Sequence, residues 1–526
     1  MYMPADRFPG GFMAPPLHLA RQWDDEWSAA ERRPMEGWAV LGGFFVPVTF
    51  RGMSDSRGGI RQLVSGLGLL VTRTIGRWIP DPFILAIGLT ALTALLALLL
   101  PGTFENREPA DVDRSKLDLL LEAWWGKDGL WALLSFSMQM ALVLVTGYAL
   151  AASPPVKKAI NAIADLPKST ASAVTLVAFV AVFTGLVNWG LALVVGALLA
   201  RAVGRSLERR GISCHYPLIA AAGYLGLLVW HGGFSGSAPL TMTTEEAALK
   251  ILPAELVAEH AAGGVPLSET LLSPMNLFVS LGLLVIAPLA CLLLTPTNPS
   301  EAKGPRDLGI EFTDEKPAQD DTSLFEMVLG IGLGVAFLAG FIHYLSGDGG
   351  GISRLGLNQI NAAMLGLGLI LHRSPLRYLR AVEDAARGAA GILVQFPLYA
   401  GVMGIMAASG LLAMFAGVAN QLSTPQTLPL FTATSAAVVN IFVPSGGGQW
   451  AVQGPIAMVA GAEDGVPLGK MIMSVAYGDQ LTNMLQPFWA LPLLAITGVK
   501  ARDIVGYTAL VMIVAAIWIA IGLLVF

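Results

Sequence analysis

The sequence predicts an all-α polytopic membrane protein made of inverted-topology repeats, with about nine full crossings, two re-entrant hairpins and two broken helices. Three observations carry that reading. The chain is 54% hydrophobic and only 13% charged, with a mean hydropathy of +0.64, which is outside the range of soluble domains. Apolar runs of spanning length recur from residue 83 to the C-terminus. Two of the last runs are interrupted, one by Pro444-Ser445-Gly446-Gly447-Gly448 and one by Gly478-Asp479-Gln480 through Thr482-Asn483 to Gln486-Pro487. A helix opens at membrane depth only where protein or a wet cavity takes up the freed backbone groups, so such breaks mark built sites.

The net charge of -5 and the lack of a long basic tract give no support to a nucleic-acid partner. Two cysteines, Cys214 and Cys291, supply neither a disulfide framework nor a metal cluster.

Residues 1–60 are polar and mixed in charge, and their one apolar run, 40–50, is too short to span. They read as an N-terminal extension, with Met53, followed by Arg57 and Arg61, as the expected start of translation. Spanning runs follow at 83–100 and 129–152, separated by an acidic loop. Lys157, Lys158 and Lys168 then form one basic cluster and Arg201, Arg205, Arg209 and Arg210 the next. The positive-inside rule puts the N-terminus and both clusters in the cytoplasm. Residues 170–200 therefore begin and end on one side. Thirty-one residues are too few for two crossings, so they read as a hairpin with its tip at Asn188-Trp189-Gly190.

Residues 216–243 read as one crossing broken at 231–239, and 277–294 as the return. The charged, Pro-containing stretch 296–323 divides a first half, 61–295, from a second, 324–526. The second half holds runs at 324–345, 357–371 and 388–417, a hairpin over 427–461 around Gly446-Gly447-Gly448, a broken crossing over 471–496 and a last crossing over 505–526.

The halves match in order. Each has a helix with an intramembrane glutamine (Gln139, Gln395), a hairpin with an asparagine near its tip (Asn188, Asn440), and a broken crossing entered through a tyrosine (Tyr224, Tyr477). Asn188 and Tyr224 are 36 residues apart, Asn440 and Tyr477 37. The hairpins enter from opposite sides, which makes the repeats inverted, an arrangement typical of transporters.

The segments RWIPDPF, VNWGLALVVGA, WHGGFSGSAPL, AAGILVQFPLYAG, VPSGGGQWAVQGP and YGDQLTNMLQPFWALPLLAITG resemble the short-chain fatty acid transporter family (AtoE type) of the ion-transporter superfamily. The resemblance runs from about residue 60 to the end. It implies a secondary carrier of small monocarboxylates such as acetoacetate and butyrate, working as an elevator. His231 departs from it, since glycine is expected there.

A small carboxylate needs donors, and no Lys or Arg lies deep in a span. The expected donors are neutral: backbone N–H groups at half-helix N-termini, asparagine amides and hydroxyls. The candidate substrate site comprises Asn188, Trp189, Gly190, Ser235, Ser237, Asn440, Ser445, Gly446, Gly447, Gly448, Thr482 and Asn483. For any one small residue, close helix packing is the competing explanation. Asp479 is the one carboxylate placed well inside a span, and it can carry a coupling proton, bind sodium with Asn188 or Asn440, or cap the broken helix. His231 is either a proton relay or a hydrogen-bonded structural histidine. Trp189, Phe234, Trp450, Phe488 and Trp489 are the candidate wall for an acyl chain.

The expectation is cation-coupled symport of a short-chain fatty acid anion across a bacterial inner membrane, with no cofactor beyond a bound sodium ion or a carried proton. The partners are the anion and the lipid bilayer, and a homodimer is left open. A cation/proton antiporter should show more than one buried carboxylate, and an intramembrane hydrolase on Ser445 or Ser235 lacks an activating dyad.

Overall fold

The computed structural model describes residues 36–41, 44–49, 59–78, 80–105, 113–249, 254–312, 323–347 and 357–526. The chain divides into residues 1–60 and 61–526. In the first unit, β1 (Glu36–Leu41) pairs antiparallel with β2 (Phe44–Thr49), with Glu36 opposite Thr49. The expected start at Met53 lies outside the described residues.

The second unit is helical. Local chemistry starts its helices where the sequence changes character. Pro82 opens α1 (Pro82–Leu99), and the Asp81 carboxylate accepts from the Phe83 N–H at 2.9 Å, which explains the Pro-Asp-Pro-Phe entry. After α2 (Leu134–Ala152), Ser169 and Ser172 form a reciprocal cap at the start of α3 (Thr170–Val187). Asn188 ends α3 and begins α4 (Trp189–Arg209). The first broken crossing is α5 (Tyr216–Tyr224), tight turns at Leu225–Leu228 and Trp230–Gly232, an extended stretch, and then the short α6 (Ser237–Thr241). α7 (Pro274–Leu294) closes the half.

The second half contains α8 (Leu324–Ser346), α9 (Leu357–His372), α10 (Ala390–Ala408), and a hairpin of α11 (Leu428–Phe442) and α12 (Gly446–Glu463). α13 (Leu468–Thr482), a turn at Asn483–Leu485 and α14 (Pro487–Thr497) form the second broken crossing, and α15 (Ala501–Val525) ends the chain.

Among the described residues, nine helices are long and apolar enough to cross a membrane. They are not the nine expected crossings. α3 and α4 qualify by length, at 18 and 21 residues, because α4 runs on through Arg201 and Arg205 to Arg209. α9 and the halves of the second broken crossing are individually shorter than that. The first hairpin is thus longer than 31 residues, yet its tip stops against the break of its neighbour: the Phe234 N–H donates to Leu186 O at 2.8 Å.

The broken crossing 216–241 is the molecular centre, with 89% of its most apolar window buried, against 11% for the peripheral α8. Small residues make that possible. A Cβ on Gly196 would lie 2.0 Å from the Gly223 carbonyl oxygen, and one on Gly185 2.2 Å from that of Gly226, so both hairpin arms meet the broken crossing backbone to backbone. The connection between halves is docked over its first part. Lys303 N–H donates to His215 Nδ1 at 3.1 Å, Lys303 O accepts from Tyr216 N–H at 2.8 Å, and Phe312 packs edge-on against the Tyr216 ring. Burial, with Lys303 and Arg73 nearby, pushes the His215 imidazole down to about 3, so it stays a neutral acceptor.

Candidate functional site

The two breaks lie against each other, and their groups are exchanged between halves. Gln480 Oε1, on α13, accepts from the His231 and Gly232 N–H groups at 3.2 and 3.1 Å, which satisfies backbone freed in the first break. The Tyr224 hydroxyl donates to the Asn483 and Gln486 carbonyls, at 2.8 and 3.0 Å, in the second break. Tyr477 reaches the other way: its hydroxyl donates to Asn276 Oδ1 at 3.0 Å, and Asn276 Nδ2 donates to Gly232 O at 2.9 Å. Breaks buried this deeply are tolerable because each carries partners for the other.

At the centre, His231 Nδ1 lies 2.6 Å from Asp479 Oδ2, with the two side chains 0% and 2% exposed. The partners assign the tautomer. The Ala238 N–H donates to His231 Nε2 at 3.0 Å, so Nε2 carries no proton and Nδ1–H faces the carboxylate. A neutral imidazole bonded to a carboxylate leaves one net negative charge. No lysine or arginine is paired with it among the described residues.

Each hairpin tip meets a break. Asn188 Oδ1 accepts from the Gly190 and Leu191 N–H groups at 2.9 and 3.2 Å, and Ser235 Oγ accepts from the Trp189 N–H at 3.0 Å. At the second tip, Ser445 Oγ accepts from the Gly448 N–H at 3.2 Å, whereas the N–H groups of Gly446 and Gly447 have no acceptor among the described residues. Asn440 faces backward: its Nδ2 lies 2.7, 3.0 and 2.9 Å from Asp479 O, Thr482 Oγ1 and Asn483 Oδ1. Its carbonyl accepts from Gln486 Nε2, and its Oδ1 is buried without a partner among the described residues.

Aromatic rings join the tips. Trp189 meets Trp489 at 5.2 Å and Trp230 at 6.3 Å between centroids, and Phe136 meets Trp189, Phe396 and Trp489 at 6.2, 5.6 and 6.1 Å. Trp230 stacks on His231 at 4.3 Å, linking this cluster to the charged pair.

A family model described as short chain fatty acid transporter matches residues 63–526. The chain belongs to this family. A relative from Escherichia coli (strain K12), named for short-chain fatty acid transport, is 38% identical over 475 residues, covering 88% of this chain and 100% of that one. One from Haemophilus influenzae (strain ATCC 51907 / DSM 11121 / KW20 / Rd), named likewise, is 37% identical over 471 residues, covering 88% and 99%. Two solved transporters align at lower similarity. The YdaH transporter of Alcanivorax borkumensis gives a TM-score of 0.40 at 17% identity over 85% of this chain and 97% of its own, and MtrF of Neisseria gonorrhoeae gives 0.32 at 14% over 86% and 97%.

Within this family member, most expected site residues come together. Asn188, Trp189, Gly190 and Ser235 bond to one another, so the first tip offers no open N–H. Gly446, Gly447 and Gly448 form the first turn of α12 rather than the tip itself, which is Val443–Ser445. Thr482 and Asn483 hold Asn440 and face the break, while Ser237 begins α6 half-buried. Asp479 sits in the last turn of α13, and the helix opens only at Asn483. In the first crossing the helix ends at Tyr224, seven residues before His231.

Of the expected aromatic wall, Trp189, Phe488 and Trp489 converge. Phe234 is 39% exposed, and Trp450 packs within the second hairpin against the backbone of Gly454. Phe136, Trp230 and Phe396 were not singled out from sequence. Trp230 was legible as the neighbour of His231 in the first break and Phe396 from its place between Gln395 and Pro397, while Phe136 sits on an ordinary apolar helix and gives no local signal. An open cavity of about 440 Å³, lined by Phe337, Tyr344, Asn358 and neighbours on α8 and α9, is made of residues outside the tips.

Proposed function

We propose that this family member is a secondary active carrier that takes up short-chain monocarboxylates, such as butyrate and acetoacetate, by proton symport with alternating access. The observation that carries the reading is the convergence of both hairpin tips and both breaks on one buried His231–Asp479 pair. An uncompensated buried charge is expensive by several kcal/mol. A proton on the Asp479 carboxyl removes it, and the pair then becomes neutral. Loading and releasing that proton gives the core two electrostatic states of different stability, which is what coupling requires. The inverted hairpins provide an entry from each side of a bacterial inner membrane, with the N-terminus in the cytoplasm.

Sodium is the second reading, since Asn440 Oδ1 and Gln486 Oε1 are buried acceptors without donors among the described residues. Purified protein in vesicles, given labelled butyrate or acetoacetate under imposed proton or sodium gradients, tests both. Accumulation driven by the proton gradient alone is expected. Dependence on sodium moves the coupling site to the Asn440 oxygens. Cation exchange without carboxylate uptake makes the protein an antiporter, and chemical conversion of the substrate makes it an enzyme.

A further inference from the structure

Away from the breaks, a small cavity of about 90 Å³ lies where three helices of the first half meet. It is lined by Tyr148 near the end of α2, Lys157 and Asn161 on the helix Pro154–Ala164, and Arg201 and Arg205 on α4. In the sequence these cations belong to two separate basic clusters, and the fold brings one from the first and two from the second around one space. The described lining contains no acidic residue. Three like charges around one hollow repel, and an anion placed there offsets the repulsion. Two nearby carboxylates are engaged elsewhere: Asp165 pairs with Arg209 and Glu208 with Arg306, each at 3.1 Å. Arg201 is held in position, since its Nη1 donates to Ile496 O at 2.7 Å and its guanidinium lies 5.9 and 5.6 Å from the Tyr148 and Phe312 ring centroids. Lys157, Asn161, Arg201 and Arg205 are half-buried, whereas Lys158, next in the chain, is exposed.

The cavity lies at headgroup depth. α2 is of spanning length and ends at Ala152, shortly before Lys157. Arg201 is twelve residues along α4 from Trp189, about 18 Å at 1.5 Å per residue, while half of a hydrocarbon core is about 15 Å. With the hairpin tip near the midplane, where inverted repeats build their sites, Arg201 falls just outside the hydrocarbon. Apolar side chains adjoin it: Ile163 and Leu166, on the same segment as Lys157, are 43% and 65% exposed. We propose that this cavity binds the phosphate of an anionic phospholipid, with Lys157, Arg201 and Arg205 as its cationic donors. Arginine forks match phosphate oxygens, and the Asn161 amide can donate to an ester or glycerol oxygen. The exposed apolar neighbours suit acyl chains, which a free phosphate lacks. The bound lipid joins the outgoing arm of the first hairpin to the helix that precedes the hairpin. The proposal stands independently of what the protein carries.

The test titrates the full-length protein, purified in a neutral detergent, with phosphatidylglycerol and counts retained lipid by native mass spectrometry. The wild type is expected to hold phosphatidylglycerol in preference to phosphatidylcholine. Lys157→Gln and Arg205→Gln are each expected to weaken that binding about fivefold, the effect of one basic side chain beside an anionic lipid, and the double variant about 25-fold. A control double variant, Lys158→Gln with Lys168→Gln, removes the same charge from exposed positions outside the cavity and is expected to change affinity less than twofold. Equal losses for the two double variants would reduce the effect to general surface charge and overturn the site. Retention of phosphatidylcholine as tight as that of phosphatidylglycerol overturns it as well. Displacement of phosphatidylglycerol by millimolar inorganic phosphate would make the ligand a free anion, and displacement by butyrate would put the cavity on the route of the carried anion; either overturns the lipid assignment. Should the cavity variants fail to fold, the wild-type competition against phosphatidylcholine, phosphate and butyrate decides.

Discussion

The two hairpin tips are built from matching sequence and do opposite things with their helix N-termini. In the first, Asn188 and Ser235 together consume the N–H groups of Trp189, Gly190 and Leu191. In the second, Ser445 takes one N–H, that of Gly448, and the two before it stay open. The first tip is a closed joint that pins a hairpin to its own break. The second is an open terminus facing Trp230 and His231. Pairing Asn188 with Asn440 by spacing concealed this difference. The residue that caps the second hairpin, as Asn188 caps the first, is Ser445, and Asn440 belongs instead to the contact with the second break.

The breaks differ in the same direction. The first contributes a donor, the Nδ1–H of His231, and the second a carboxylate, Asp479, and the two meet across 248 residues of chain. Asp479→Asn is therefore the most damaging change expected. The amide oxygen still accepts from His231 Nδ1–H, so folding is retained, but no proton can load. Cation-driven accumulation of butyrate should fall more than 100-fold, with exchange down a butyrate gradient surviving. Accumulation within twofold of wild type would leave Asp479 only a structural role.

The second change concerns the open tip. Gly446→Ala puts a methyl against Trp230, whereas Gly447→Ala meets nothing within 4 Å. Uptake is expected to drop about tenfold or more for the first, in line with overpacking by roughly 1–3 kcal/mol, and to change little for its neighbour. Equal effects at both glycines would mean that helix N-terminal flexibility, not the approach to Trp230, is what matters. At the closed tip the readout should differ. Asn188→Ala removes a cap, and a loss of about 1 kcal/mol should appear as a lower melting temperature with little change in KM for butyrate. A large KM change without a melting shift would place the first tip in the substrate site after all.

How much of this was legible follows from the range of the signal. Crossings, breaks and the second hairpin were readable because apolar runs and Gly-Pro interruptions are local. The family segments were readable for the same reason. The exact ends of the helices were not: α13 continues through Gly478-Asp479-Gln480, where Gln480 finds partners in the other break, and α5 stops at Tyr224, between Gly223 and Gly226, well before the Gly-rich run at 232–236. The His231–Asp479 pair was visible only as two separate oddities, one histidine and one carboxylate, each in a break. That the two breaks share one core is a long-range fact. The role of Phe136 depends on it as well, since nothing distinguishes it from a lipid-facing phenylalanine until the tips converge.

The tyrosines provide the finest comparison between the halves. Tyr224 and Tyr477 hold equivalent places, Tyr224 reaching into the other half's break and Tyr477 reaching it through Asn276 on α7, but their bonds are not equally replaceable. The Tyr224 hydroxyl serves two backbone carbonyls, those of Asn483 and Gln486. Removing it leaves the Gln486 carbonyl without that donor, while Asn483 O keeps the Gln486 N–H at 3.1 Å. The Tyr477 hydroxyl serves Asn276 Oδ1, which also accepts from Ser280 Oγ at 3.0 Å. Removing it leaves that oxygen a donor. Tyr224→Phe is therefore expected to destabilise the protein by about 1–3 kcal/mol and Tyr477→Phe by about 1 kcal/mol or less, read as melting temperatures in detergent. The double variant should show additive losses if the two ties act separately, and less than additive loss if breaking one already lets the breaks separate. A larger effect at Tyr477 would reverse the comparison and identify Asn276, rather than the Asn483 turn, as the stronger link between the halves.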